Sequence, residues 1–192
     1  MKPFISYIII CVVGIAILIR CLPRGTKKRK RFEIFAEIGI GLFISVIVLG
    51  LTSFDNFMLK KAGIAYLQYI SIFFFVTGIF LIISSFLSLK RIGKPTSGLE
   101  DTTIMIYKGI FKILRHPLYL GLSLVTIGFL FAYQAFTLII IGVVAVILFY
   151  IASRIEDSYN IKKFGREYVE YMKNVPLWNF LLGIFRSSKI RY

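Results

Sequence analysis

Residues 118–153 read LYLGLSLVTIGFLFAYQAFTLIIIGVVAVILFYIAS, without a single charged side chain. Apolar residues run round every face of a helix drawn through either half. A soluble helix keeps a polar stripe, so a stretch greasy all round belongs in a core or in lipid. The only interruption is Gln134-Ala135, between two runs near the ~20 residues that a membrane span takes. The stretch therefore predicts a tight helical hairpin, with spans at 118–133 and 136–153 and a turn that leaves almost nothing outside.

Working outward, the same reading finds three earlier spans. Residues 4–22 are free of charge up to Arg20, which can snorkel from the end of its helix. A cleaved signal peptide is the other reading of that segment, but no small-residue cleavage site precedes the basic run that follows. Residues 34–54 form a second span, closed by the polar turn Asp55-Asn56, and 64–89 a third that is long enough to tilt. The composition agrees: of 192 residues, 58% are hydrophobic and 17% charged, against about 45–50% and 25% in a soluble domain. The expected fold is an all-α integral membrane protein, with about five transmembrane helices and a cytoplasmic C-terminal helical cap. It forms a single membrane domain over 1–192.

The net charge of +15 would suit nucleic acid only on a soluble scaffold, so an anionic membrane surface is the expected partner and nucleic acid is not. In the five-span arrangement 21 of the 24 Lys and Arg residues fall on one side. By the positive-inside rule that side is the cytoplasm, with the N-terminus outside and the C-terminus inside. Cys11 and Cys21 share the first span at a spacing that is not same-face, and suggest neither a disulfide framework nor a metal site. A single histidine in the chain argues against a zinc or di-iron centre.

The chemistry is expected in the polar parts beside the hairpin. Lys108, Lys112 and Arg115 recur at i, i+4 and i+7 among isoleucines, which predicts a basic helix lying in the membrane interface. The plain reading is a grip on lipid headgroups. It ends in Arg115-His116-Pro117-Leu118-Tyr119-Leu120-Gly121, where Pro117 breaks one helix and starts the next. The only histidine thus stands beside a cation at a helix N-terminus, a place that suits an anionic group. Beyond the hairpin come Glu156 and Asp157. Adjacent helical residues point about 100° apart, so the two carboxylates are not expected to serve one ligand equally: one binds while the other pairs with a base. Phe164, Tyr168 and Tyr171 make an aromatic stripe that reads as packing, with Gly165 allowing a bend and Val175-Pro176 an end. Residues 177–185 form a last interfacial apolar stretch.

This order of motifs, from Gly109-Ile110-Phe111 through Arg115-His116-Pro117-Leu118-Tyr119-Leu120-Gly121 to Glu156-Asp157, Phe164-Gly165, Tyr168, Tyr171 and Val175-Pro176, resembles the isoprenylcysteine carboxyl methyltransferase family and the related phospholipid N-methyltransferases. The resemblance covers residues 103–176; residues 1–102 match only as hydrophobic helices, and 177–192 form a tail. It implies S-adenosylmethionine as methyl donor, held in a cytoplasm-facing pocket. Thr103, Ile104, Met105, Ile106, Phe111, His116, Pro117, Leu118 and Tyr119 would line that pocket, and Glu156 would bind the cofactor. Phe111 stands where the family carries tyrosine, Asp157 where it has a second glutamate, and Ala152 where it has an arginine. Arg154 is the nearest substitute and, with Glu156, the expected catalytic pair, although positions 152 and 154 face about 200° apart on a helix. The implied acceptor is a lipid or lipidated molecule, with a prenylcysteine carboxylate or a phospholipid amine as the reacting group.

Two other functions fit parts of the pattern. A sterol-type membrane reductase binding reduced nicotinamide nucleotide has a similar C-terminal region, but Leu118 stands where such enzymes usually carry asparagine after His-Pro. A basic membrane adaptor or small transporter would use the charged face alone. Transport predicts ionisable groups or broken helices at mid-membrane, and 118–153 contains neither.

Overall fold

The computed structural model describes residues 30–51, 64–93 and 104–187. They form six helices: α1 (Arg31–Leu51), α2 (Ala65–Arg91), α3 (Pro117–Tyr133), α4 (Phe136–Phe164), α5 (Arg166–Asn174) and α6 (Phe180–Ser187), with a 3-10 turn at Gly109–Lys112 before α3. Helices α1, α2 and α4 are long and apolar enough to cross a membrane. Their outward faces stay apolar, as with Tyr69, Phe73 and Val76 on α2 and Ile140 and Ile147 on α4, a surface that only lipid solvates well. The protein is an all-α, multi-pass integral membrane protein.

The expectation of about five transmembrane helices is corrected to three among the described residues. Helix α3 was expected to span but has 17 residues, or about 26 Å at 1.5 Å per residue, short of the ~30 Å hydrocarbon core. The first expected span, 4–22, lies outside the described residues. A second correction concerns the basic interfacial helix. Residues 104–108 are irregular and only Gly109–Lys112 coil, as a 3-10 turn. Gly109 has φ +63°, a left-handed backbone that a continuous right-handed helix does not pass through.

The hairpin of α3 and α4 is the centre of the bundle. Helix α2 packs along α3 and α1 along α4. Small residues set the spacing, as expected where lipid supplies no hydrophobic drive and close packing must hold helices together. A Cβ added to Gly78 would come within 2.8 Å of the Gly121 carbonyl oxygen, and one added to Gly121 within 2.9 Å of that of Gly78, so α2 and α3 touch backbone to backbone. On the other side Gly39 of α1 receives the ring of Phe149. The hairpin turn closes with Gln134 at φ 50°. Its amide donates from Nε2 to the Ile64 carbonyl and accepts at Oε1 from the Ile64 N–H, both at 2.8 Å, fastening the start of α2 to the turn.

At the opposite end α4 continues past Ser153 to Phe164, carrying the charged residues of the expected cap on the same rigid helix. Gly165, at φ 64° and ψ −136°, then turns the chain so that α5 folds back, with Tyr168 and Tyr171 buried against Met105 and Val175. Arg115 N–H donates to the Pro176 carbonyl at 3.1 Å, and Phe180 of α6 packs with Ile110 and Leu114. The bend, the 3-10 turn and the N-terminus of α3 are thereby gathered in one place.

Candidate functional site

Pro117 occupies the first turn of α3 and His116 its N-cap position, where a missing N–H costs the helix nothing. The imidazole is buried, with its side chain 4% exposed. Its Nε2 lies 2.8 Å from Asp157 Oδ1, and the same oxygen accepts a 2.7 Å hydrogen bond from the Tyr168 hydroxyl. Asp157 Oδ2 faces Arg115 Nη1 at 3.4 Å. A buried charge is tolerated only when paired, and here one aspartate joins three elements: the approach to α3, the end of α4 and the face of α5. Burial, reinforced by the Asp157 carboxylate beside it, pushes the Tyr168 phenol far above its ordinary range. It therefore acts as a hydroxyl donor at any physiological pH.

The pairing leaves two groups short of partners. Arg115 is 8% exposed in its side chain, yet its Nε and Nη1 make no hydrogen bond. A guanidinium has five donors in a fixed fork, and leaving buried donors unmade is costly. Glu156 points away from Asp157 and approaches His116 Nδ1 only to 3.7 Å, beyond hydrogen-bond reach.

Both groups line a cavity of about 380 Å³. Its polar end is made by Arg115, His116, Glu156 and Asn160, and aromatic surface comes from Phe111, Tyr119, Phe164, Tyr168 and Tyr171. The rest is apolar: Ala36, Ile40, Phe43 and Ile44 from α1, and Ile82, Phe86 and Leu89 from α2. This is the usual make-up of a small-molecule site, apolar walls with a few convergent polar groups. Tyr171 donates a 2.6 Å hydrogen bond to the Phe111 carbonyl and so holds the 3-10 turn against the cavity.

Of the residues singled out from sequence, Met105, Ile106, Phe111, His116, Pro117, Leu118, Tyr119 and Glu156 line this cavity together. Ile104 is 45% exposed and outside its wall, and Thr103 lies outside the described residues. Arg154 is exposed on α4 and outside the wall, while Ala152 is fully buried in the core beside Phe149. The divergence of the two carboxylates is as their helical spacing requires, with Glu156 at the cavity and Asp157 on the bases. Sequence reasoning missed Asn160 and gave Phe164 to packing, although Glu156, Asn160 and Phe164 stand one turn apart on one helical face. It also missed the contributions of α1 and α2, for which no signal existed in helices apolar all round.

The bundle thus joins a buried charged cluster to an apolar wall of membrane-length helices in one cavity. The family model for phospholipid methyltransferase matches residues 66–167, just over half of the chain, from the start of α2 through the hairpin to the first residues of α5. The chain belongs to that family, and is accordingly an S-adenosylmethionine-dependent methyltransferase acting on a lipophilic acceptor. No curated protein and no solved structure matches it.

Proposed function

We propose that the cavity binds S-adenosylmethionine at its charged end and admits the acceptor along its apolar wall. The reading is carried by one observation: a buried arginine with unpaired donors and an acidic residue without a hydrogen bond line the same cavity as aliphatic side chains from two membrane-length helices. The residues fit the donor. Arg115, whose Nη1 is ion-paired to Asp157 and whose Nε makes no hydrogen bond, offers an N–H to a carboxylate, Glu156 offers a negative charge to an ammonium, and Phe111, Tyr119 and Phe164 offer ring faces to adenine and sulfonium. Met105, Ile106, Pro117 and Leu118 close the pocket around them.

When bound, S-adenosylmethionine supplies an electrophilic methyl group on a sulfonium. The protein's share is alignment and dryness. Helices α3 and α4 hold His116 and Glu156 on rigid backbone, and the aliphatic wall keeps water from the line of displacement. The reacting group we favour is the amine of a phospholipid rather than a prenylcysteine carboxylate. Ala152 offers nothing to an anionic acceptor and Arg154 lies outside the wall. Arg154 joins instead the basic face, which we assign to the cytoplasmic leaflet from the distribution of Lys and Arg, with the active site opening to the cytoplasm.

Calorimetric titration of the purified protein with S-adenosylhomocysteine and, separately, with NADPH tests the reading. Micromolar binding of S-adenosylhomocysteine, reduced at least tenfold in Arg115→Ala, is the expected result. Binding of NADPH alone would overturn it in favour of a reductase, and binding of neither would leave only a basic membrane adaptor.

A further inference from the structure

Arg115 is the only Lys or Arg among the described residues that line the cavity, and the donor's carboxylate claims it. A phosphodiester drawn inside with an acceptor amine would be a buried anion without a partner, which is costly. It must stay at the mouth, and one side chain locates the mouth. Phe86 lines the cavity from α2 and is yet 44% exposed on the outer surface of the bundle, so the wall opens toward lipid beside it.

Three bases stand at that opening. Ile82, Phe86 and Lys90 recur at i, i+4 and i+8 along one ridge of α2, which places Lys90 one turn beyond Phe86 with Arg91 next to it. The Gly93 N–H closes this last turn on the Leu89 carbonyl at 3.1 Å, so both bases sit on ordered helix. Lys108 comes from another segment. A Cβ added to Gly109 would lie 3.3 Å from Ser88 Oγ, so the 3-10 turn starts against the end of α2 and brings Lys108 to it. All three are exposed, and among the described residues no carboxylate pairs with any of them, whereas Lys30, Arg115 and Lys173 each have an acidic partner. The general demands on basic residues are met without this gathering. A helix C-terminus is served by the two bases on α2, and orientation in the membrane by bases anywhere on the cytoplasmic face. Neither calls for a third from the 3-10 turn beside a gap in the wall.

We propose that Lys90, Arg91 and Lys108 form a clamp for the acceptor's phosphodiester at the lipid-facing mouth of the cavity. Arg91 supplies a planar fork for two phosphate oxygens and the lysines supply point charges, as basic groups between membrane helices do for lipid headgroups. The inference rests on the methyltransferase reading for the identity of the occupant, and narrows the acceptor to a lipid whose amine lies beyond a phosphate. In phosphatidylethanolamine the amine stands two carbons from the phosphate. A headgroup held at Lys90 then reaches past Phe86 and Leu89 into the cavity while its acyl chains stay in the bilayer.

Calorimetric titration of the full chain in an uncharged, phosphate-free detergent tests the clamp, with dihexanoyl phosphatidylethanolamine as the probe. A dihexanoyl aminopropane lipid, which has the amine but no phosphate, is the comparison, and S-adenosylhomocysteine is titrated separately. The wild type should bind the phosphate-bearing lipid about tenfold more tightly than the phosphate-free one, the scale of a few exposed ion pairs acting together. Lys90→Gln/Arg91→Gln/Lys108→Gln should remove that advantage and leave S-adenosylhomocysteine affinity unchanged. Lys90→Arg/Arg91→Lys, which keeps the charge, should keep the affinity. Lys162→Gln/Arg166→Gln, at bases that line no part of the cavity, should lose nothing. Equal binding of the two lipids by the wild type, full affinity in the triple variant, or an equal loss in Lys162→Gln/Arg166→Gln overturns the proposal. Should the triple variant lose S-adenosylhomocysteine as well, Arg91→Gln alone carries the test through a loss of about threefold, and no loss there overturns it. A wild type that binds S-adenosylhomocysteine but not phosphatidylethanolamine removes the clamp and leaves the cofactor assignment. One that binds the lipid through the three bases but not S-adenosylhomocysteine keeps the clamp and removes the cofactor from the cavity.

Discussion

The two ends of the α3–α4 hairpin use polar side chains in opposite ways. At the turn, Gln134 spends its amide on both backbone groups of Ile64, and among the described residues no buried side-chain donor or acceptor of the turn lacks a partner. At the open end Asp157 takes hydrogen bonds from His116 and Tyr168 and ion-pairs with Arg115, yet Arg115 Nε and Nη1 make no hydrogen bond and Glu156 stops short of His116. A bundle that can satisfy a glutamine so completely could satisfy an arginine. Completed hydrogen bonding thus marks the end that fastens the hairpin turn to α2, and the unmade hydrogen bonds fall at the end where we propose the cofactor binds.

Substitutions can break this contrast. The largest effect is expected for Asp157→Ala, which strands the Arg115 charge in the interior and should cost about 3–5 kcal/mol in mixed-micelle unfolding, together with S-adenosylhomocysteine binding. A loss near zero would mean that the cluster is open to water. Next comes Gly121→Val, where a branched side chain meets the Gly78 carbonyl; overpacking of about 1–3 kcal/mol should appear in the same measurement, and an unchanged midpoint would show that α2 and α3 are not in backbone contact. Gln134→Ala should cost roughly 1–2 kcal/mol while leaving S-adenosylhomocysteine affinity at its wild-type value. Weakened binding in that variant would erase the distinction between the two ends. The smallest expected change is for Tyr171→Phe, about 1 kcal/mol for the lost bond to the Phe111 carbonyl, accompanied, unlike Gln134→Ala, by weaker cofactor binding.

Charge-free apolar runs made the helices legible, and the start of α3 could be placed because Pro117 permits few alternatives. That Glu156 and Asp157 point different ways followed from helical geometry; that Glu156 is the one facing the cavity did not. The span count did not, because a run of 16 or 17 apolar residues sits at the edge of what crosses a bilayer. The basic periodicity of Lys108, Lys112 and Arg115 misled, since a left-handed Gly109 interrupts the coil. Tyr168 could not be assigned to Asp157 from spacing, as that contact depends on the fold-back at Gly165. Nor could the cavity wall be read from α1 and α2, where every face is apolar and the inner one differs only by position.

The brevity of α3 sets the depth of the chemistry. With its turn end fastened beside the start of α2, a helix of 17 residues, about 26 Å long, carries His116 one helix length from the turn, where Glu156 of α4 and Leu89 of α2 line the same cavity. The apolar wall and the charged end of that cavity are thereby held at a fixed separation from the turn by the length of one short helix.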